Sequence, residues 1–133
     1  MNQRGFATLE VILMVVVIGI LASVAVPRFT DVTTKANTAK IQADLTTIDT
    51  AIQMYNLETG KDDATLEKLK SGGYLMDIPK PPTGSVFIGS STAVDVPDTE
   101  YKVGDYNIDS GDESKKVKRA MLKDNVAGDF GVK

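Results

Sequence analysis

Five residues in the last third of the chain bring oxygen atoms close together: Asp105, Asn107, Asp109, Asp112 and Glu113. Oxygen donors at alternate positions are what a calcium ion needs, since it gathers about six to eight of them. The run Asp105-x-Asn107-x-Asp109 has that start. An EF-hand loop then wants glycine at its sixth position and a bidentate glutamate at its twelfth. Here Gly111 comes one place late and Lys116 stands where the glutamate belongs. The spacing therefore favours a solvated hairpin turn, with Asp105, Asp109 and Asp112 as the only metal candidates and no metal expected. Lys115, Lys116, Lys118, Arg119 and Lys123 could touch phosphates, but the net charge is -3. Nucleic-acid binders concentrate positive charge, so a solvated strand face is expected instead. Phe6, Phe29 and Tyr55 could form an aromatic path for charge; at 6% aromatic content they are read as packing residues. The chain has no His, Cys or Trp. Zinc sites, disulfides, thiolate nucleophiles and histidine acid–base catalysis lose their usual residues. No catalytic activity and no cofactor are expected.

One further charge stands out by its isolation. From Phe6 to Val26, 21 residues, Glu10 is the only charged side chain. A helix of about 20 apolar residues spans a bilayer core. Arg4 precedes the run and Arg28 follows it; the short basic start favours a cytoplasmic N-terminus. A carboxylate at the centre of such a helix costs roughly 2.5–3.5 kcal/mol, less near an end, and is usually kept for function. Gly19 and Ser23 are small residues that let another helix approach closely. Pro27 removes a backbone hydrogen bond and favours a kink.

Beyond Pro27 the pattern becomes amphipathic. Ile41, Leu45, Ile48, Ile52 and Tyr55 alternate spacings of four and three, which makes one apolar stripe. Thr34, Lys35, Lys40, Gln42, Asp44, Asp49 and Gln53 are assigned to the wet side. Gly60 is a stop signal. One long helix is expected from about Phe6 to about Glu58. Asp63 is expected to cap a short helix containing Leu66 and Leu69, ended by Gly72 and Gly73. Tyr74, Leu75 and Ile78 read as core anchors, and Lys80 to Gly84 as a turn. Strands are expected over Ser85 to Ile88, Glu100 to Ile108 and Lys116 to Leu122, the last two joined by a hairpin loop from Asp109 to Ser114. Ala93 to Val96 reads as a further edge strand. Asn125 to Lys133 shows no period.

An ordinary secretory signal would use Arg4, an apolar core from Val11 to Leu21, and cleavage after Ser23-Val24-Ala25. A plain membrane anchor and a buried core helix are the other simple readings. Glu10 weighs against all three. The run Gly5-Phe6-Ala7-Thr8-Leu9-Glu10-Val11, followed by apolar residues to Val26 and then Pro27, resembles the N-terminal signal of type IV pilins and type II secretion pseudopilins. Their usual pattern is Gly-Phe-Thr-Leu-Ile-Glu and an apolar run. Tyr74-Leu75 to Pro81 more loosely resembles a segment that follows the helix in many of them. Ala7-Thr8 departs from the commoner order, and no cysteine pair closes a C-terminal loop. Pro81-Pro82-Thr83-Gly84 stands where major secretion pseudopilins often have Asp-Pro-Trp-Gly.

The resemblance implies an α+β pilin fold: a long, protruding N-terminal helix packed on a small C-terminal antiparallel sheet. It implies a leader over residues 1–5, an assembly half of the helix over 6–27, an amphipathic half over 28–59 and a head over 60–133. It implies cleavage between Gly5 and Phe6 by a prepilin peptidase, N-methylation of Phe6, and a register role for Glu10. Gly19 and Pro27 fall where the family loosens its helix in the filament. The implied partners are further copies of the chain in a helical filament, the peptidase, and an inner-membrane assembly platform with its ATPase. The precursor would sit in the inner membrane with its N-terminus cytoplasmic, and the filament outside the cell. Major secretion pseudopilins also use a C-terminal calcium site. A pilus subunit is the first expectation; a major pseudopilin of a type II secretion system or a DNA-uptake pilin are the alternatives.

Overall fold

A computed structural model describes residues 3–109, 112 and 114–133, and within them every side chain but those of 26–29. The chain divides into two units, Met1–Thr33 and Thr34–Lys133. Helix α1 runs Gln3–Thr59, close to the expected span. It stops where Gly60 takes the left-handed region, φ 67°. The Gly60 N–H still donates to the Asn56 carbonyl, closing the last turn.

In the first unit every described side chain from Gln3 to Ala25 is exposed. This part of α1 is also long and apolar enough to cross a membrane. Its hydroxyls are satisfied within the helix. Thr8 Oγ1 donates to the Arg4 carbonyl at 2.9 Å, and Ser23 Oγ to the Ile20 carbonyl at 2.7 Å. A lipid-facing hydroxyl needs such a partner, because hydrocarbon offers none. The backbone is helical at Gly19 and Pro27 alike.

In the second unit the expected stripe is the core. Ile41, Leu45, Ile48, Ile52 and Tyr55 are buried with Leu69, Leu75, Val86, Tyr101, Leu122 and Phe130. Tyr55 meets Tyr74 edge to face at 5.6 Å. Leu75 is buried, as expected, while Tyr74 and Ile78 are only partly so. Helix α2 spans Leu66–Ser71. Its cap is Thr65, whose Oγ1 accepts from the Lys68 N–H, and not Asp63. Asp63 is engaged otherwise: it accepts from the Tyr55 hydroxyl and the Lys68 ammonium. Those bonds, Lys68 first, hold its carboxyl below the usual range.

The strands are β1 (Ser85–Phe87), β2 (Ala93–Asp95), β3 (Tyr101–Asn107) and β4 (Lys116–Leu122). They form two separate two-stranded antiparallel sheets, β1 with β2 and β3 with β4, rather than one. Val86 faces Val94, and Gly104 faces Arg119. The split goes with what occupies the outer edge of β1. The outer edge of β1 is taken by α1 side chains and by the chain end: the Gly131 N–H donates to the Phe87 carbonyl at 2.8 Å. The unassigned tail thus has structure, with Val126 and Phe130 buried on either side of a single turn at Ala127–Asp129.

Candidate assembly site and the acidic hairpin

Glu10 lies on α1 among exposed Phe6, Leu9, Leu13 and Met14. Residues four apart share one helix face, so Phe6 and Glu10 lie one turn apart on the same side. Glu10 has no ion pair among the described residues. An exposed carboxylate ringed by exposed apolar side chains is satisfied in water, but needs a cation once the surface goes dry. Gly19 has nothing within 4 Å of where a Cβ would stand. Its notch on the apolar surface is open to a second helix. The side chain of Pro27 lies outside the described residues. So does that of Phe29, and with it the aromatic path.

The acidic hairpin turns inward on itself. Asp105 pairs with Lys118 at 2.7 Å and Asp109 with Lys115 at 3.0 Å. Asp112 Oδ1 accepts from the Ser114 N–H and hydroxyl, which lower its carboxyl from the usual range. Gly111 and Glu113 lie outside the described residues. Among the described residues no three potential metal ligands come together. The same pairs occupy the candidate DNA-contacting cations: Lys115 and Lys118 face carboxylates, and Arg119 turns to Asp49 at 2.8 Å. With Asp105 and Asp109 already holding ammonium groups and Asp112 holding Ser114, the head should gain little from calcium. Millimolar calcium is expected to move its melting temperature by less than about 2 °C, with or without Asp109→Ala. A rise of several degrees that Asp109→Ala removes would establish a calcium site.

The polar side chains on α1 carry more structure than the sequence suggested. Asn37 Nδ2 donates to the carbonyls of Thr83 and Ser85. Buried Thr38 accepts from the Phe87 N–H at 2.9 Å, and Gln42 donates to the Phe130 carbonyl at 2.6 Å. Asp44 accepts from the Tyr101 hydroxyl at 2.8 Å, and also pairs with Lys40, which reaches the Lys80 carbonyl. Burial, with that bond to Asp44 added, pushes the Tyr101 phenol far up, so it stays a donor. Asp49 accepts from the Ala120 N–H at 2.7 Å and from Arg119 Nε at 2.9 Å. Thr34 and Asp49 are therefore buried and not on the wet side, while Gln42 and Asp44 are half-buried. A signal was present. Thr34 and Thr38 continue the stripe through Ile41 at spacings of four and three, so they had to face the core.

No family model matches the chain, and no solved structure matches it. Curated relatives do. The type II secretion system core protein G of Klebsiella pneumoniae is 31% identical over 100 residues, covering 63% of this chain and 71% of the relative. Its counterpart from Pectobacterium carotovorum subsp. carotovorum is 27% identical over 136 residues, covering 81% and 87%. The type IV narrow pilus major component PilA5 of Thermus thermophilus is 46% identical over 43 residues, covering 32% and 37%.

Proposed function

This chain belongs to the family of type IV pilins and type II secretion pseudopilins, and from that premise we propose that it is a precursor cleaved between Gly5 and Phe6 whose mature form polymerises through its apolar helix. The observation that carries the reading is Glu10, a lone carboxylate on a helix face otherwise apolar and exposed. Cleavage removes Arg4 and creates an ammonium at Phe6. Glu10 of a neighbouring helix then has a cation to meet, and in a dry bundle that pair is much stronger than in water. The pair sets axial register. Burial of the Val11 to Val26 segments against each other supplies the attraction, roughly 25 cal/mol per Å² once they leave lipid for an aqueous filament. Gly19 and Pro27 are the points where this helix would loosen on assembly. The partners follow: further copies of the chain, a prepilin peptidase that also methylates Phe6, and a membrane platform with its ATPase. The subunit would wait in the inner membrane, N-terminus inside, and act outside it.

Of the machines open to such a subunit, the secretion pseudopilus is supported best. A match over 81% of the chain must reach well beyond the 57-residue helix, whereas the pilus match is only 43 residues long. Loss of the gene should then abolish release of exported proteins and leave surface pili untouched. Loss of pili with normal export would make it a pilus subunit.

N-terminal sequencing and intact mass of assembled material are expected to begin at N-methylated Phe6. A mature chain beginning at Val26 would instead make the apolar run an ordinary signal peptide and remove the filament reading altogether.

A further inference from the structure

Two hydroxyls lie inside the apolar run from Phe6 to Val26, those of Thr8 and Ser23. Within its own helix such a hydroxyl bonds the backbone carbonyl three or four residues earlier. Ser23 uses the nearer, donating to Ile20 at 2.7 Å; Thr8 uses the farther, donating to Arg4 at 2.9 Å. The two acceptors differ in fate. Ile20 stays in the mature helix. Arg4 goes with the leader, and so does Gly5, whose carbonyl is the other one within reach of Thr8. Hydrolysis of the Gly5–Phe6 bond adds one water across it: Gly5 departs with a new carboxylate and Phe6 keeps an ammonium. Both carbonyls that Thr8 can use depart with Gly5. The cut therefore leaves two polar groups in need of a partner, the Phe6 ammonium and the Thr8 hydroxyl. Neither lipid tails nor the inside of a dry bundle supplies one.

What the mature run still holds narrows the acceptor. Its only carboxylate is Glu10. Residues two apart stand about 200° apart around a helix, so Thr8 and Glu10 of one copy face opposite ways. The hydroxyl cannot reach the Glu10 of its own chain. A neighbour's Glu10, brought level with the Phe6 ammonium, lies two residues below Thr8, or about 3 Å along the axis. An ionised carboxylate has about four lone-pair sites, so one Glu10 can accept from the ammonium and the hydroxyl together.

We propose that cleavage frees the Thr8 hydroxyl to donate to Glu10 of a neighbouring copy, the same carboxylate that takes the Phe6 ammonium. Each copy then presents Glu10 on one side and Thr8 on the other. Joining unlike sides is a heterologous contact, which propagates into an open helical filament rather than closing as a dimer. In the uncut chain the hydroxyl is already satisfied by Arg4 and offers a neighbour nothing. Thr8 thereby ties assembly to processing. This inference rests on the filament reading and adds to it a positioning residue for Glu10.

The test uses the full chain. Thr8→Val keeps the shape and removes the hydroxyl; Thr8→Ser keeps the hydroxyl. Each is tagged and expressed as a small minority beside the wild-type chain. Its share of sheared filaments is compared with its share of the membrane, and intact mass reports the cut. Thr8→Val is expected to be cut normally and to enter filaments about tenfold less well, and Thr8→Ser to behave as wild type. In such mixed filaments the variant's Thr8 and its Glu10 meet different wild-type neighbours. Thr8→Val and Glu10→Asp in one copy should therefore multiply their losses. A double variant short of that product would place the pair within one chain and overturn the proposal. Thr8→Val taken up as well as wild type would overturn it too, leaving the hydroxyl to water or a lipid headgroup. So would a Thr8→Val chain that keeps its leader, since the hydroxyl would then serve cleavage. All three results leave the filament reading intact. A wild-type chain that begins at Val26 or forms no filaments would remove both.

Discussion

Filaments should all but disappear when Glu10 is replaced by alanine, while the subunit remains processed, inserted and folded. The three parts of that expectation have separate causes. Glu10 is the only charge between Phe6 and Val26, so its loss makes the helix more comfortable in lipid, by up to ~3 kcal/mol were it central. Membrane level should hold or rise. Glu10 belongs to the unit Met1–Thr33, whereas the head core is built from residues beyond Thr34. Head stability should therefore not change. Only the pair proposed with the neighbouring Phe6 ammonium would be lost, and a charge entering a dry bundle without its partner is penalised by about 3–5 kcal/mol. At 1.4 kcal/mol per tenfold, that weakens each addition by a hundredfold or more. Electron microscopy of sheared material, beside fractionation and intact mass, measures all three. Glu10→Asp keeps the charge on a shorter arm and should assemble partly. If Glu10→Ala filaments appear at wild-type abundance, the pair does not drive assembly and the mechanism fails.

The parts of this molecule that were legible in its sequence are those governed by local rules. The helix boundaries followed from hydrophobic run, stripe and Gly60. The stripe from Ile41 to Tyr55 proved to be the core because its 3.6-residue period admits one buried face. The strands were placed within a residue or so by their turns. What was not legible depended on pairing across long separations. Asp49 reads as a surface residue because aspartate usually is one. Yet it stands four residues after Leu45 and three before Ile52, at the margin of the buried stripe, and its partners are 70 and 71 residues away. The division into two sheets was hidden for the same reason. It depends on Thr38 and Gly131 both reaching β1, and nothing in residues 85–96 announces that. Glu10 drew notice in the sequence because a carboxylate in an apolar run has no structural excuse, and its role is the one proposed above.

Among the head's polar side chains, a large sensitivity should lie at Asp49. Asp49→Ala is expected to destabilise it by about 3 kcal/mol, since two dependent groups lose their acceptor at once. The Ala120 N–H faces Asp49 Oδ1 at 2.7 Å, and Ala120 is itself fully buried, so water cannot readily replace the carboxylate. That amide accounts for most of the loss. Arg119 contributes less, because its side chain remains 34% exposed and water can reach the guanidinium. It also keeps its place over the Tyr106 ring at 5.8 Å. Asp49→Asn separates the two terms. The amide oxygen can still accept from Ala120, but its NH2 group then faces Arg119, donor against donor, so a loss of about 1–2 kcal/mol is expected. Thr46→Ala is the control: its hydroxyl bonds only the Gln42 carbonyl on the exposed face, and the change should stay within about 0.5 kcal/mol. Urea unfolding of the head from residue 28 onward gives all three, with an unchanged slope confirming that the same surface unfolds. An Asp49→Ala head as stable as wild type would mean that the clamp between α1 and β4 is incidental and that apolar packing alone fixes their register.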